Sequence, residues 1–459
     1  MRHYIAVCII FIASAKIELA LTIMSYTDVM FLFESLLLKS ETEIKAMRQS
    51  DPDFNKLIIL LYKFLQVDKI RAKASRTAGL TAKRSKPPKS DSTEPVRRNR
   101  CYMCHHKILI PSTHESLCLR CADINAYYNV VPLDLKGKFA IVTGGRVKVG
   151  YHIALRLLRA GATVAVTSRF PQDTLLRYSK EQDYGVWSSN LHIIGADFRS
   201  FRQIDSFIAQ IKTLTHNVHI LVNNAAQTIR RPAVYYQSLI DYTAPAAPLA
   251  LAPGVGAVVS LSASMPSMPS MPSMPLMSSV SMNVTPWSAL DIALPEDFPA
   301  GQLDIDGQQL DLRKSNSWTQ TIDKVDIVEC VETQLINSIA PFYIIQQLDG
   351  LFQDSYILNI TSAEGRLDTP GFPVHPHNNM SKAALNMITR TIGKDYYKRK
   401  QTLVVSVDTG WANTMVGPTT MAKLSYEDSA ARAIQPLVDE DAAKYSAGLL
   451  RNFILCNEW

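Results

Sequence analysis

Apolar residues along this chain recur with two periods, and their alternation predicts the architecture. Phe139 to Val142 form a short unbroken apolar run, the pattern of a strand buried on both faces. Thr143, Gly144 and Gly145 follow as a turn. Ile153, Ala154, Leu157 and Leu158 then repeat at helical spacing, and Gly161 stands where a helix ends with positive φ. Thr163 to Val166 form a second apolar run. The same succession returns downstream: Leu221-Val222, Ile357-Leu358 and Leu403-Val404-Val405 are short apolar runs ending in small or polar residues, with helical patterns between them. Strands alternating with helices build a parallel sheet whose strand ends carry ligands. A strand–turn–helix–strand unit of this length can bind a dinucleotide, because the helix N-terminus offers free N–H groups and a positive dipole end to a pyrophosphate. A glycine turn without a ligand has the same local pattern.

Upstream the pattern changes. Residues 1–73 read as a helical arm, in which Leu57, Ile58, Leu60, Leu61, Phe64 and Leu65 repeat at helical spacing after the break at Asp51-Pro52-Asp53. Such an arm suits a hairpin or a dimerisation element. Within residues 1–23, Arg2 and His3 precede an apolar run from Tyr4 to Ala15, as in a signal peptide; a mis-assigned start gives the same pattern. Lys16 and Glu18 interrupt the run, so no integral membrane span is expected. Residues 74–100 are rich in Lys, Arg, Ser, Thr and Pro and predict a disordered basic linker.

Charge refines this picture. The 459-residue chain carries a formal +7. Between Lys69 and Arg100 eleven basic residues face only Asp91 and Glu94, a local +9 that leaves the rest of the chain near −2. The main domain therefore gives no nucleic-acid signal. The run Lys83-Arg84-Ser85-Lys86 leaves a nuclear address open. Of seven cysteines, four form Cys101-x-x-Cys104 and Cys118-x-x-Cys121, thirteen residues apart. Two such knuckles can close a tetrahedral Zn²⁺ site with no open position, so residues 101–125 are expected to be a structural zinc module. Thiolate metal sites suit reducing compartments, so a cytoplasmic protein is expected and secretion is not.

A further segment, about 234–315, is foreign to the strand–helix alternation. Its Met-Pro-Ser repeats from Met265 to Pro275 block both helix and ladder pairing. A disordered, low-complexity surface insertion is expected, with a lid or docking role as the alternative and Trp287, Leu290 and Ile292 as its candidate anchors.

From Lys136 onward the chain resembles the short-chain dehydrogenase/reductase family. The family's T-G-x-x-x-G-x-G turn is matched by Thr143, Gly144 and Gly150, with Lys148 at the middle glycine. Asp197 in LHIIGADFR fits the acid that meets the adenine, and Asn223-Asn224-Ala225-Ala226 fits N-N-A-G. Asn337 in LINSIAPF, Ser362 in YILNITSAEG, Lys382 in NNMSKAALNM and Asp408-Thr409-Gly410 with Thr414 complete seven markers in order. The resemblance implies a doubly wound, Rossmann-like α/β domain over 136–459 and a homo-oligomer. Its implied activity is an oxidoreductase acting on a small-molecule carbonyl or alcohol. Cofactor residues are then expected at Thr143, Gly144, Gly145, Arg146, Lys148, Gly150, Ser168, Arg169, Asp197, Asn224, Ala225, Lys382 and Thr414. The second strand ends Thr167-Ser168-Arg169 with no acid for a ribose 2′-OH, so NADP is expected rather than NAD.

In the family a Tyr four residues before the Lys moves the proton, while Ser polarises the carbonyl and Asn supports a relay. Here that position is Asn378, and an amide supplies no proton at neutral pH. Asn337, Ser362 and Lys382 remain the expected catalytic residues, and His375 and His377 are the expected substitutes for the phenol. The alternative is a catalytically inactive dinucleotide-binding protein with an interaction or regulatory role. Tyr396-x-x-x-Lys400 matches the family's spacing, but it is expected to be a solvated helix end.

Overall fold

The computed structural model describes residues 100–459, apart from 109–111, 113, 237, 240–257, 260–294, 305, 369–372, 413–422, 457 and 458. Of 258 and 259 it describes the backbone alone. The helical arm, the signal-peptide pattern, nearly all of the basic linker, the Met-Pro-Ser repeats, Trp287, Leu290, Ile292 and Thr414 lie outside the described residues. The chain divides into two compact units, one ending at Tyr127 and one beginning at Tyr128.

In the first unit, Arg100 and Lys107 form an antiparallel bridge around the first cysteine pair. The knuckle closes with Cys101 N–H donating to His106 O at 2.7 Å and His105 taking a positive φ of 61°. Cys118 precedes helix α1 (Leu119–Val130), and Cys121 lies in its first turn.

The second unit is built on a nine-stranded sheet. Its elements are β1 (Phe139–Val142), α2 (Lys148–Arg159), β2 (Thr163–Ser168), α3 (Pro171–Tyr178), α4 (Tyr184–Trp187), β3 (Leu191–Gly195), α5 (Phe201–Leu214) and β4 (Ile220–Asn223). These are followed by β5 (Val258–Val259), α6 (Ile327–Gln334), α7 (Ala340–Gln347), β6 (Tyr356–Thr361), α8 (Pro376–Lys400), β7 (Leu403–Asp408), α9 (Tyr426–Val438), β8 (Leu449–Arg451) and β9 (Ile454–Cys456). The strand order is β5-β3-β2-β1-β4-β6-β7-β8-β9, and every pairing is parallel except β8 with β9.

Both faces of the sheet are covered, which explains the unbroken apolar runs. Ala140 and Val142 join one core with Ile153 and Leu157 of α2 and Ile434 of α9. Phe139 and Ile141 point the other way, into a core with Phe207 of α5 and Ile344 of α7. Gly161 takes φ +89° after α2, as the sequence predicts. Helix α9 opens with a capping box between Ser425 and Asp428.

The expected insertion ends earlier than the sequence pattern suggests. From Pro295 the chain packs on the domain: Phe298 is buried, edge-on to Tyr235 and beneath the Arg313 guanidinium. Asp311 pairs with Arg231 at 2.9 Å and with Arg313 at 2.8 Å. The aromatic and charged residues that follow the repeats supply these contacts, which composition averaged over the whole segment conceals.

Candidate functional site

The site is assembled at the ends of β1, β2, β3, β4 and β6, where each strand leaves the sheet. The Thr143 hydroxyl accepts from the N–H groups of Asn224 and Ala225, both at 3.0 Å. Asn224 Nδ2 returns bonds to the Thr143 and Gly144 carbonyls at 3.0 and 3.1 Å. The turns after β1 and β4 are thus locked together. Gly144, at φ +69°, has room for no side chain: a Cβ there would lie 2.9 Å from Ala225 Cα. A Cβ on Gly150 would meet Gly144 O at 2.3 Å. Gly145 N–H donates to Thr167 O, and Gly144 N–H to the Thr167 hydroxyl. The glycines of this turn are therefore set by close approach of backbone to backbone. Lys148, at the family's middle glycine, keeps a left-handed φ of 58°.

Two cations of this turn have partners within the chain. Arg146 donates to Asp173 at 2.7 Å and to Gln308 at 2.8 Å. Lys148 Nζ pairs with Asp306 and donates to the Tyr426 hydroxyl at 3.1 Å.

On the β2–β3 side, Ser168 accepts from Phe170 N–H at 2.9 Å. Arg169 is exposed, with its guanidinium 4.5 Å from the centre of the Tyr236 ring and Nη2 donating to the Tyr236 hydroxyl at 2.9 Å. Asp197 is gripped by Arg199 through both carboxylate oxygens, and with the nearby Arg169 this holds its carboxyl below the usual range despite burial. Arg199 also lies 4.0 Å from the buried Glu332, which Arg230 approaches at 3.4 Å. Sequence reading missed Arg199 and Glu332. Their charges were visible, but no local spacing joins residues 133 positions apart.

On the β6 side, Asn337 sits in a π-helical turn (Leu335–Ile339), a distortion that frequently marks functional positions. Its Oδ1 accepts from Gln227 N–H at 2.7 Å, and its Nδ2 donates to Gln227 O at 2.9 Å and to Ser381 Oγ at 3.0 Å. It therefore ties the end of β4 to α8. Ser362 follows β6 in extended backbone and starts a tight turn, Ala363–Gly365. Gly365 lets that turn press on α8, since a Cβ there would stand 2.7 Å from the Lys382 carbonyl carbon. Asn386 Nδ2 clamps the turn by donating to Gly365 O at 2.9 Å.

Lys382 is 8% exposed, with Nζ donating to Ile360 O at 3.0 Å. Burial lowers its pKa to about 8, although Glu364 and Asp408 pull the other way. Burial likewise pushes the Asp408 carboxyl up, against the pull of Arg451. Asn378, one helical turn before Lys382, is 3% exposed, and its Oδ1 has no hydrogen-bond partner among the described residues. His375 stacks on Trp318, with ring centroids 3.9 Å apart and Nδ1 at 2.8 Å from Trp318 O. His377 is buried with Nε2 at 3.1 Å from Thr228 O, and burial lowers its pKa. Tyr396 and Lys400 lie at the opposite end of α8, where both bond Asp349.

The cysteine pairs converge in the first unit. The sulfurs of Cys101, Cys104, Cys118 and Cys121 all lie within 4.8 Å of one another, with Cys104 and Cys118 at 3.8 Å. Among the described residues no disulfide joins any of the four. Hydrogen bonding from Cys104 and its neighbours pulls Cys101 down, while hydrogen bonding to Cys101 pushes Cys121 up. Four converging sulfurs are the donor set a tetrahedral Zn²⁺ takes.

Comparison with known proteins supports a dehydrogenase reading of residues 138–239. Residues 138–239 match the family described as short chain dehydrogenase. The chain is 26% identical over 312 residues to an uncharacterized protein of Acanthamoeba polyphaga mimivirus, covering 64% of this chain and 58% of that one. It is 36% identical over 100 residues to a fatty acyl-CoA reductase of Acinetobacter baylyi, covering 21% of this chain and 32% of that one. The chain thus spans under two thirds of the length of these relatives. Among solved structures it is similar to the carbonyl reductase Sniffer of D. melanogaster, with a TM-score of 0.46 and 17% identity over 71% of this chain and all of the other. A short-chain dehydrogenase/reductase from Burkholderia multivorans with bound NADP gives a TM-score of 0.44 at 17% identity, over 70% of this chain and 99% of the other. Among the described residues no helix is long and apolar enough to cross a membrane.

Proposed function

We propose that this chain, whose residues 138–239 match the short chain dehydrogenase family, is an NADP(H)-dependent oxidoreductase acting on a carbonyl or alcohol. The observation that carries this reading is the convergence on α8: Lys382 is buried under the end of β6, Asn337 bonds Ser381, and the Ser362 turn presses on Lys382. When bound, the nicotinamide supplies or accepts the hydride. Thr143, Gly144, Gly145, Gly150, Asn224 and Ala225 form the cradle, and Arg169 and Arg199 offer positive charge toward a 2′-phosphate.

The remaining chemistry belongs to the chain. The Ser362 hydroxyl donates a hydrogen bond to the substrate oxygen. The proton completing the alcohol comes from the Lys382 ammonium and is replaced from solvent. Lys382 is preferred because Asn378 carries no acidic proton and burial brings the Lys382 pKa down to about 8, near the working pH, with His375 and His377 as the competing donors. Asn337 is a positioning residue. The test is NADPH consumption across a panel of ketones, quinones and aldehydes, with NADPH binding measured in parallel. Binding without turnover on any substrate turns the reading to a dinucleotide-binding protein that does no chemistry.

A second reading concerns the first unit. The four converging sulfurs support a structural Zn²⁺ held by Cys101, Cys104, Cys118 and Cys121, with no position left for catalysis.

A further inference from the structure

We propose that Asp304 together with residues 306–308 forms an internal competitor for the phosphate-bearing ligand of the glycine turn, with the Asp306 carboxylate taking the anion's place. This rests on the dinucleotide reading above and adds a control that belongs to this chain's own insertion.

Lys148 is the first residue of α2 and Tyr426 the first of α9. Asp306 Oδ2 bridges them: it pairs with Lys148 Nζ and accepts from the Tyr426 hydroxyl at 2.6 Å. Asp304 stands 3.8 Å from the same Nζ. A carboxylate is therefore held by an ammonium and a hydroxyl that reach it from the first residues of two helices, and the lysine favours an anion there. Val147, the N-cap of α2, makes no side-chain cap hydrogen bond.

Asp304 and residues 306–308 are held by several bonds. Asp304 Oδ1 accepts from the N–H groups of Asp306 and Gln308 at 2.9 and 2.8 Å, and Gly307 takes φ +65° to close the turn. Arg177 donates to Asp306 O at 2.6 Å, and Gln308, itself buried, accepts from Arg146. The side chains of Lys148 and Asp306 are 11% and 14% exposed, so this is no solvated surface pair. A phosphate seated on Arg146 and Lys148 must break these bonds or meet the carboxylate at close range. Loop and ligand then exclude one another, and ligand affinity falls by the fraction of molecules in which the loop is open. By linkage, the ligand opens the loop as strongly as the loop opposes the ligand.

The experiment uses the full chain, wild type, Asp306→Asn and Tyr426→Phe. NADPH is titrated by fluorescence, and hydrogen exchange of the 302–310 amides is followed with and without NADPH or inorganic pyrophosphate. Asp306→Asn should tighten NADPH by about 10-fold or more, within the usual range of such couplings. Tyr426→Phe, which removes one donor and keeps the charge pair, should give a smaller gain. In the wild type, saturating NADPH should speed exchange at Asp306 and Gln308. Unchanged or weaker NADPH binding in a folded Asp306→Asn protein overturns the proposal, as does a loop that stays protected at saturation. If no variant binds NADPH, the dinucleotide reading fails by itself. The loop proposal is then decided by pyrophosphate, which should bind Asp306→Asn more tightly than wild type; equal binding defeats it.

Discussion

Asn359 Nδ2 donates to the Thr389 hydroxyl at 2.8 Å, joining the middle of the sheet to the helix that carries Lys382. Asn359 also accepts from Asn223 Nδ2 at 2.8 Å, and Ser406 donates to the same Thr389 hydroxyl at 2.8 Å. Asn223, Asn359 and Ser406 stand in register across β4, β6 and β7, all buried. The ladder sets the depth of α8 two turns beyond Lys382. Asn359→Leu should destabilise the domain by about 1–3 kcal/mol, since it leaves the buried Asn223 amide without its acceptor and takes one of two donors from Thr389. Urea unfolding checks this; a loss below half a kilocalorie would show that the ladder does not hold the helix.

Phe298 tests whether the end of the insertion belongs to the fold. Phe298→Ala should cost about 3–5 kcal/mol, the usual penalty for emptying a buried aromatic position. A melting temperature equal to that of the wild type would show that the segment merely rests on the surface.

Cofactor preference is expected to follow Arg169. Arg169→Asp removes a phosphate partner and adds repulsion, so it should weaken NADPH far more than NADH. Equal dissociation constants for the two cofactors, before and after the change, contradict the NADP assignment.

The proton donor can be read from a pH profile. With Lys382 lowered to about 8, its ammonium fraction falls as pH rises through that value. Carbonyl reduction should therefore decline about tenfold per unit above it. Stability moves the other way: above about pH 8 the unfolded chain keeps a lysine proton that the native state has lost, so stability rises with pH until the ordinary lysine value. Asn378→Tyr should raise reduction by about 10²-fold by restoring a phenolic acid. A profile that instead breaks near the histidine value and disappears with His377→Ala assigns the proton to His377.

For the cysteine cluster, about one Zn²⁺ per chain is expected by elemental analysis, released by a strong chelator. Release should disorder residues 101–125 and leave NADPH binding in place. Metal-free protein with four freely titrating thiols would end the zinc assignment.

The parallel sheet was legible because its strands are buried on both faces, which leaves unbroken apolar runs such as Phe139–Val142, and because each turn needs small residues where backbones meet. Gly144 and Gly150 declare themselves in this way, as does the cysteine spacing. Charges did not. Arg146 and Lys148 read as cofactor cations because a cation's residue type says nothing about where its partner lies; Asp173 is 27 residues from Arg146, and Gln308 and Asp306 are about 160 residues from Arg146 and Lys148. The same holds for Asn359 with Thr389 and for Asn337 with Gln227. Local periodicity records which face of a strand or helix is buried; the pairing of polar groups across elements depends on how those elements pack, and only the folded chain decides that.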